Sequence, residues 1–495
     1  MPVLFRRLAA LILVAGLAGT VSSCRDRQEG TVRVLVIGTS PPKLKDASAP
    51  PLNAGDELLL SNVAQGLVRF DAAGNIVGGL AERWNVSNDG LSYIFRLAAT
   101  KWPDGRKLTG DQVARVLKRQ LSSRSRNSLK DALGAVEDVV AMTDRVIEIR
   151  LIAPRPNLLP LLAQPEFAII RDGQGTGPFA LSARSDLLGD LKLTRDIVSA
   201  GDDELRRHEE VRVGTAEGQT AIRAFAAGKA DMVVGGTFTE LPYLWPVKLP
   251  RNSVRFDPAS GLFGLAPTKI DGEFSDPEAR RLLSEAIDRD ALVAALRVPG
   301  LTPRASVLEP GLDGLPNAFQ PPWLGTPLSE RRVGLIGDAS RLFGSDEKPA
   351  IRIDLPQGPG ADILLARLAA DWGALGFTVE RAKSPAAADL RLIDEVAPST
   401  SPAWFLRNFR CGAVPVCDPE VDELLKSARE AALPAQRYAL LLEASRRIDD
   451  AQLFIALTAP VRWSLVSSRI PGFAGNRYAR HTLTDLEVKL GAGAQ

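Results

Sequence analysis

Twice along this chain a β-branched run, an amphipathic segment and a second β-branched run follow one another. "EEVRVGTAEGQTAIRAFAAGKADMVVGG" reads strand, helix, strand, with Gly228 ending the helix. "IRIDL", "ADILLARLAADWGALGFTVERA" and "ADLRLIDE" read strand, helix, strand, strand. Alternation of this kind requires a partly parallel sheet covered by helices. A chain of 495 residues, 45% of them hydrophobic, exceeds what one core organises. The expectation is therefore two α/β lobes, the second starting near residue 257.

The rest of the chain fits around that plan. "TVRVLVIGT" reads as a strand, and "SPPKLKDASAPPLNAGDE", with four prolines, as a loop before a helix from Leu58. Asp89-Gly90 between two apolar runs is a hairpin signal. Thr109 opens a helix whose apolar positions are Val113, Val116, Leu117 and Leu121. "SDPEARRLLSEAIDRDALVAALRVPG" reads as a single helical stretch capped by Ser275, followed by proline-rich loop to about residue 328. "DPEVDELLKSAREA" and "PAQRYALLLEASRRIDDA" are helical, and "FIALTAPVRWSLV" is strand-like. The Gly-x-Gly-x-Gly run in "RDGQGTGPFAL" lacks the following helix that a phosphate loop needs and reads as a turn. Trp84, Tyr93 and Trp102 read as packing residues, Asp104-Gly105 as a turn, and Asp276, Asp288 and Asp290 as carboxylates at helix ends.

The first residues set the compartment. "MPVLFRRLAALILVAGLAGTVSSC" carries Arg6 and Arg7, then an apolar run too short to span a bilayer, then small residues before Cys24. This is an export signal over 1–23. "VSSC" resembles the lipobox of bacterial lipoproteins, which makes Cys24 the expected site of lipid attachment and 24–30 a short tether; the alternative is an ordinary cleaved signal. Removing the signal takes the formal charge from +2 to about zero. With no long basic block, nucleic acid is not an expected partner.

Cys411 and Cys417, with five residues between them in "FRCGAVPVC", have the residue type of metal ligands, a redox couple or a staple alike. Export to an oxidising compartment favours the disulfide. An enzyme needs a nucleophile, a base and an orienting group. The chain has only His208 and His481, both in charged or polar surroundings that suggest surface positions, and no "GxSxG" or "HExxH". No catalytic residue, metal site or cofactor is expected.

Several blocks resemble one family. "NVAQGLVRFDAAGNIVGGLAERWNVSNDGLSYIFRL", "WPDGRKLTGDQV", "GTGPFAL", "AIRAFAAGKADMV", "DPEARRLLSEAIDRDALV" and "DPEVDELLKSAREA" are similar, in this order, to the extracytoplasmic solute-binding proteins of ABC importers, in the class (family 5) that includes dipeptide and oligopeptide receptors. The resemblance spans roughly residues 32 to 475. It implies a two-lobed periplasmic binding protein fold, type II and cluster C-like, with paired crossing strands and an extra subdomain inserted in the first lobe. The expected division is 31–60, 172–256 and 463–495 for lobe I, 61–171 for the insert and 257–462 for lobe II. It also implies a monomer that closes on a peptide or similar solute and delivers it to a permease and ATPase, held to the membrane by its lipid alone. Use of the same scaffold as a sensor or chaperone-like lipoprotein, or for a non-peptide solute, is the alternative.

The resemblance also nominates residues. Peptide receptors of the class place a tryptophan, then three residues later an aspartate that pairs with the peptide's ammonium, before a cysteine pair. Counted back from Cys411 without gaps, those positions hold Asp394 and Ala397. The anchor is missing, and Asp394 or Glu395, in the loop-like "DEVAPSTSP", is the substitute to consider. Trp404 and Arg407 are candidates for stacking and for pairing a carboxylate. Thr39 and Ser40 follow the first strand where family members offer backbone to an extended ligand.

Overall fold

The computed structural model describes residues 30–486 except 50, 183–189, 199–205, 316–318, 345–347 and 432. The export signal and Cys24 lie outside the described residues.

Thr31–Ile37 alternates buried and half-buried positions and stands inside a seven-stranded sheet. It runs parallel to Arg206–Ala216 on one side and Met232–Thr237 on the other. Antiparallel additions complete the sheet: Leu191–Val198 and Ala180–Ser182 beyond the first neighbour, Arg462–Val466 and Val254–Phe256 beyond the second. A five-stranded sheet has the order Val379–Arg381, Ile351–Asp354, Leu390–Val396, Gly261–Pro267, Ile455–Thr458, parallel at its first three strands and antiparallel at the rest. A four-stranded antiparallel sheet, Ala81–Val86, Ser92–Leu97, Val146–Leu151 and Val136–Thr143, forms a separate unit with the helix Gly110–Leu121 across it. Tyr93 and Trp102 are buried in its core and Trp84 packs against it, as their alternation predicts.

The two larger sheets are joined by two short crossings, 257–260 and 459–461. The indole of Trp463, just past the second, donates to the Thr237 carbonyl at 2.8 Å. Gly236 lies flat against that indole, where an added Cβ would come within 2.3 Å of the ring. Gly360, at the start of the helix Pro359–Gly373, donates its N–H to Thr239 O at 2.9 Å, and a Cβ there would meet the Phe238 carbonyl. These close approaches explain glycine at both positions, and one hydrophobic core containing Val233, Phe238, Phe263, Ile351 and Trp463 extends across the junction.

Two local expectations are corrected, and one helix is added. The first helix, Ala54–Asn62, starts before Leu58, because the Asn53 side chain accepts from Asp56 N–H while Asp56 returns a bond to Asn53 N–H. The stretch 275–300 is two helices, Pro277–Ala286 and Arg289–Leu296; Asp276 rather than Ser275 caps the first, and Asp288 caps the second through Ala291 N–H. A helix at Leu328–Phe343, which the sequence reading passes over, buries only Leu335 and Ala339. Among the described residues no helix is long and apolar enough to cross a membrane.

Arg280 shows why "DPEARRLLSEAIDRD" reads as it does. It is 1% exposed and, among the described residues, has no carboxylate partner. Its guanidinium donates to the carbonyls of Phe274, Ser275, Ala451 and Gln452 at 2.5–3.1 Å, tying this helix to the end of the helix Pro434–Asp450. Burial pulls its pKa down to about 10, so it stays protonated at neutral pH. Arg289, brought by burial to about 9, likewise donates to Ser284, Arg304 and Ala456 carbonyls. Arg280→Leu leaves four carbonyls without a donor and is expected to lower stability by roughly 3 kcal/mol. Chemical denaturation checks this, with Arg280→Lys expected to fall between the variant and the parent.

Candidate functional site

The acidic pair comes first because the strand that carries it borders the hinge. Leu390–Val396 pairs with Gly261–Pro267, Asp394 opposite Phe263 and Glu395 opposite Leu262. Both residues are therefore in a strand and not in a loop between the lobes. Asp394 Oδ1 accepts from the Arg462 guanidinium at 2.8 Å, and its carbonyl accepts a second N–H at 3.1 Å. Burial raises the Asp394 carboxyl above the ordinary carboxylate range, with Arg462 opposing. Arg462 is the first residue of the strand after the second crossing, so this pair pins the crossing to the second lobe's sheet. The two-residue period of a strand turns Glu395 to the other face, where it is exposed. Ala397 is buried, and its N–H donates to Ser260 O at 2.8 Å.

Trp404 and Arg407 come together. Pro402 opens the short helix Pro402–Arg407, its fixed φ suiting the first helical position. Phe405 and Leu406 fix the helix in the core, Trp404 packs edge-on against Phe405 at 5.1 Å, and both Trp404 and Arg407 line one cavity. The opposite wall is the inserted unit, through Leu133, Arg155, Asn157 and Leu158. The walls touch directly around it: Gln164 Nε2 donates to Pro398 O at 2.9 Å, Thr400 Oγ1 to Asn157 Oδ1 at 3.2 Å, and the Arg407 guanidinium to Asp131 O. Burial lowers the Arg407 pKa to about 10, and Arg410, Arg155 and Arg429 push the same way. Thr39 and Ser40 lie in the exposed bend after Thr31–Ile37 and are not among the residues lining this cavity.

Three arginines of the lining escape sequence reasoning: Arg155, Arg429 and Arg437. Arg429 is in the last turn of the helix Pro419–Glu430, Arg437 belongs to the helix Pro434–Asp450, and Arg155 lies more than 270 residues before them. No spacing in the chain announces that they converge.

Cys411 and Cys417 form a disulfide with Cα atoms 5.2 Å apart. It closes a short loop, which in the chain-entropy account contributes about 2 kcal/mol. Its local effect is to connect the end of the Arg407 helix with the start of the Arg429 helix, where Asp418 caps through Glu420 N–H at 3.0 Å and accepts from Arg447 at 2.8 Å. Of the two histidines, His208 is exposed and meets Asp196 at 2.6 Å. His481 is a correction to the expected surface position: its side chain is enclosed, tilted against the Phe473 ring and 3.2 Å from Asp257 at the first crossing. Among the described residues no group of three or more His, Cys, Asp or Glu side chains is gathered as metal ligands would be.

Two α/β lobes, two crossings between them and a cavity walled by the second lobe and an inserted unit define a two-lobed binding protein of the periplasmic, type II kind. The model for bacterial extracellular solute-binding proteins, family 5, matches residues 75–389, and the chain belongs to that family. It is similar to a probable di/tripeptide-binding protein 5 of Pseudomonas aeruginosa, 23% identical over 88% of this chain and 91% of that protein. Its fold is similar to that of the Escherichia coli murein tripeptide binding protein MppA, with a TM-score of 0.79 and 18% identity over 94% of this chain and 99% of the other. It is also similar to the fold of Haemophilus influenzae OppA in complex with RPPGFSPFR, with a TM-score of 0.78 and 15% identity over 93% and 99%.

The acidic pair separates structural from ligand roles. Asp394→Ala leaves Arg462 half enclosed without its carboxylate and is expected to cost roughly 2–3 kcal/mol in urea denaturation. Glu395→Ala is expected to stay within about 0.5 kcal/mol of the parent. Equal losses from the two would remove the hinge role from Asp394.

Proposed function

We propose that the chain is the substrate-binding component of an ABC importer, capturing a peptide or peptide-like solute between its lobes and presenting the closed form to a permease and its ATPase. The observation that carries this reading is the pair of crossings 257–260 and 459–461. A body joined to its partner by two short segments rotates about them, and ligand contacts to both walls exist only when it has closed. The bridges from Gln164, Asn157 and Asp131 to 398–407 are the contacts that such closure makes. Membership of an extracellular solute-binding family and the peptide-binding relatives support the assignment. We read 31–60, 172–256 and 463–495 as lobe I, 61–171 as its insert and 257–462 as lobe II, with the exported monomer anchored to the cell envelope through lipid on Cys24. Trp404 and Arg407 are the proposed ligand contacts from the second lobe, with Thr39, Ser40 and Glu395 as further positions on the cleft.

One observation favours a second reading, a receptor for a non-peptide solute. Where the family's peptide receptors carry an ammonium-binding aspartate, this chain has Ala397, and neighbouring Asp394 is occupied by Arg462. An ammonium buried there would lack a counter-charge.

Native mass spectrometry of the exported protein, followed by calorimetry with neutral di- and tripeptides, tests the assignment. A retained or added peptide at one per chain is expected, stabilising the fold by about 2.7 kcal/mol at a hundredfold excess over Kd. A retained mass that is not a peptide, with no response to any peptide, would favour the second reading. Turnover of the solute would overturn both.

A further inference from the structure

The two fully buried arginines and the half-buried arginines of the interlobe cavity differ in their partners. Arg280 and Arg289 are surrounded by carbonyl acceptors. The arginines of the interlobe cavity are not. Arg155, Arg407, Arg429 and Arg437 line one space, contributed by the insert, by the Trp404 helix and by two further helices of the second lobe. Arg407 donates to Ala403 O and Asp131 O, and Arg437 donates once, to Ala431 O at 3.0 Å. Arg437 Nε is buried without a partner. Among the described residues none of the four forms an ion pair, and the Arg155 and Arg429 guanidiniums have no hydrogen-bond acceptor.

Among the described residues the carboxylates nearby form no ion pair with these four, and Asp131 only partly offsets the burial and repulsion at Arg407. Asp313 is the acidic residue in the lining, and its Oδ2 accepts from Thr400 Oγ1 at 2.7 Å. Asp131 stands at the rim, offering its carbonyl to Arg407 and its carboxylate to Arg410 at 3.5 Å. The arginines act on one another: Arg437 and Arg429 add to the burial that brings Arg155 down to about 10. Four guanidiniums held together between Trp404, Leu158, Leu425 and Leu441 are costly as they stand. An oxyanion would turn that cost into affinity, since a guanidinium fork binds a carboxylate or phosphate through paired N–H bonds, more strongly where apolar walls exclude water.

We propose that this cavity is an anion subsite and that the captured solute carries more than one negative charge, an acidic peptide being the form consistent with the function proposed above, on which this inference rests. The negative group sits between Arg155 from the insert and Arg407, Arg429 and Arg437 from the second lobe. It joins the two walls only when they are closed, so it also drives closure.

The test uses the whole exported protein, stripped of ligand by denaturation and refolding. Calorimetry compares Glu-Ala-Glu, Ala-Ala-Ala and Lys-Ala-Lys, and thermal unfolding compares citrate and inorganic phosphate with chloride at matched ionic strength. The acidic tripeptide is expected to bind at least about tenfold more tightly than the neutral one, and citrate to raise the unfolding temperature. Arg429→Gln is expected to shrink the acidic preference, Arg429→Gln with Arg437→Gln to bring it within about twofold, and Arg429→Lys to keep most of it. Arg115→Gln, on the exposed face of the insert's helix, is the control for loss of one charge and should keep the preference in full. Equal binding of acidic and neutral peptides, with no effect of citrate or phosphate, would overturn the anion subsite and leave peptide capture standing. Stabilisation by citrate or phosphate that the Arg429 and Arg437 variants abolish, without binding of any peptide, would support the subsite and overturn the peptide reading.

Discussion

The molecule depends on how its two sheets are held where the chain crosses between them. Val254–Phe256 and Arg462–Val466 are neighbours in one sheet, Gly261–Pro267 and Ile455–Thr458 neighbours in the other. The junction is therefore a pair of strands that each leave one sheet and enter the second. Three side chains fix it: Trp463 on Thr237, Arg462 on Asp394, and Asp257 against His481. Each bond is made within a residue or two of a crossing, where backbone rotation is taken up, so the lobes have a defined axis rather than a loose tether.

What that axis brings together is the cavity. One wall is held by the rigid core of the inserted sheet, the other by helices whose ends are set by the Cys411–Cys417 bridge and the Asp418 cap. Bridges such as Gln164 to Pro398 join neutral polar groups and contribute modestly, about 1 kcal/mol apiece. The arginines work in the opposite sense, because like charges resist being gathered in a space of low polarity. A closed form stabilised weakly by protein contacts and opposed by charge is one that a ligand can decide.

Much of the architecture was legible before any coordinates. Strand-helix-strand order, the hairpin at Asp89-Gly90, the helix opened by Thr109 and the packing roles of Tyr93 and Trp102 follow from periodicity and turn chemistry, which act over a few residues. The misreadings were also local. Asn53 and Asp56 cap each other and extend a helix into what looked like loop, and Asp288 restarts a helix where apolar spacing alone suggested continuity. The Leu328–Phe343 helix was passed over because it buries so little of its surface that its pattern is faint.

The site divides along the same line. Counting from the cysteine pair assigns Ala397 to the expected anchor position, and position within the resemblance nominates Trp404 and Arg407. Asp394 looked like a spare carboxylate until Arg462, 68 residues away, claimed it. Arg155, Arg429 and Arg437 carried no signal at all, since charge density depends on distance in space and arginines more than 270 residues apart have none in sequence. The amino-acid sequence by itself determined the two-lobed α/β plan and the staple, because those rest on short-range pattern and covalent order. Only the tertiary structure decided which charges are already paired and which converge on the cavity, because electrostatic energy is set by burial and separation after the chain has folded.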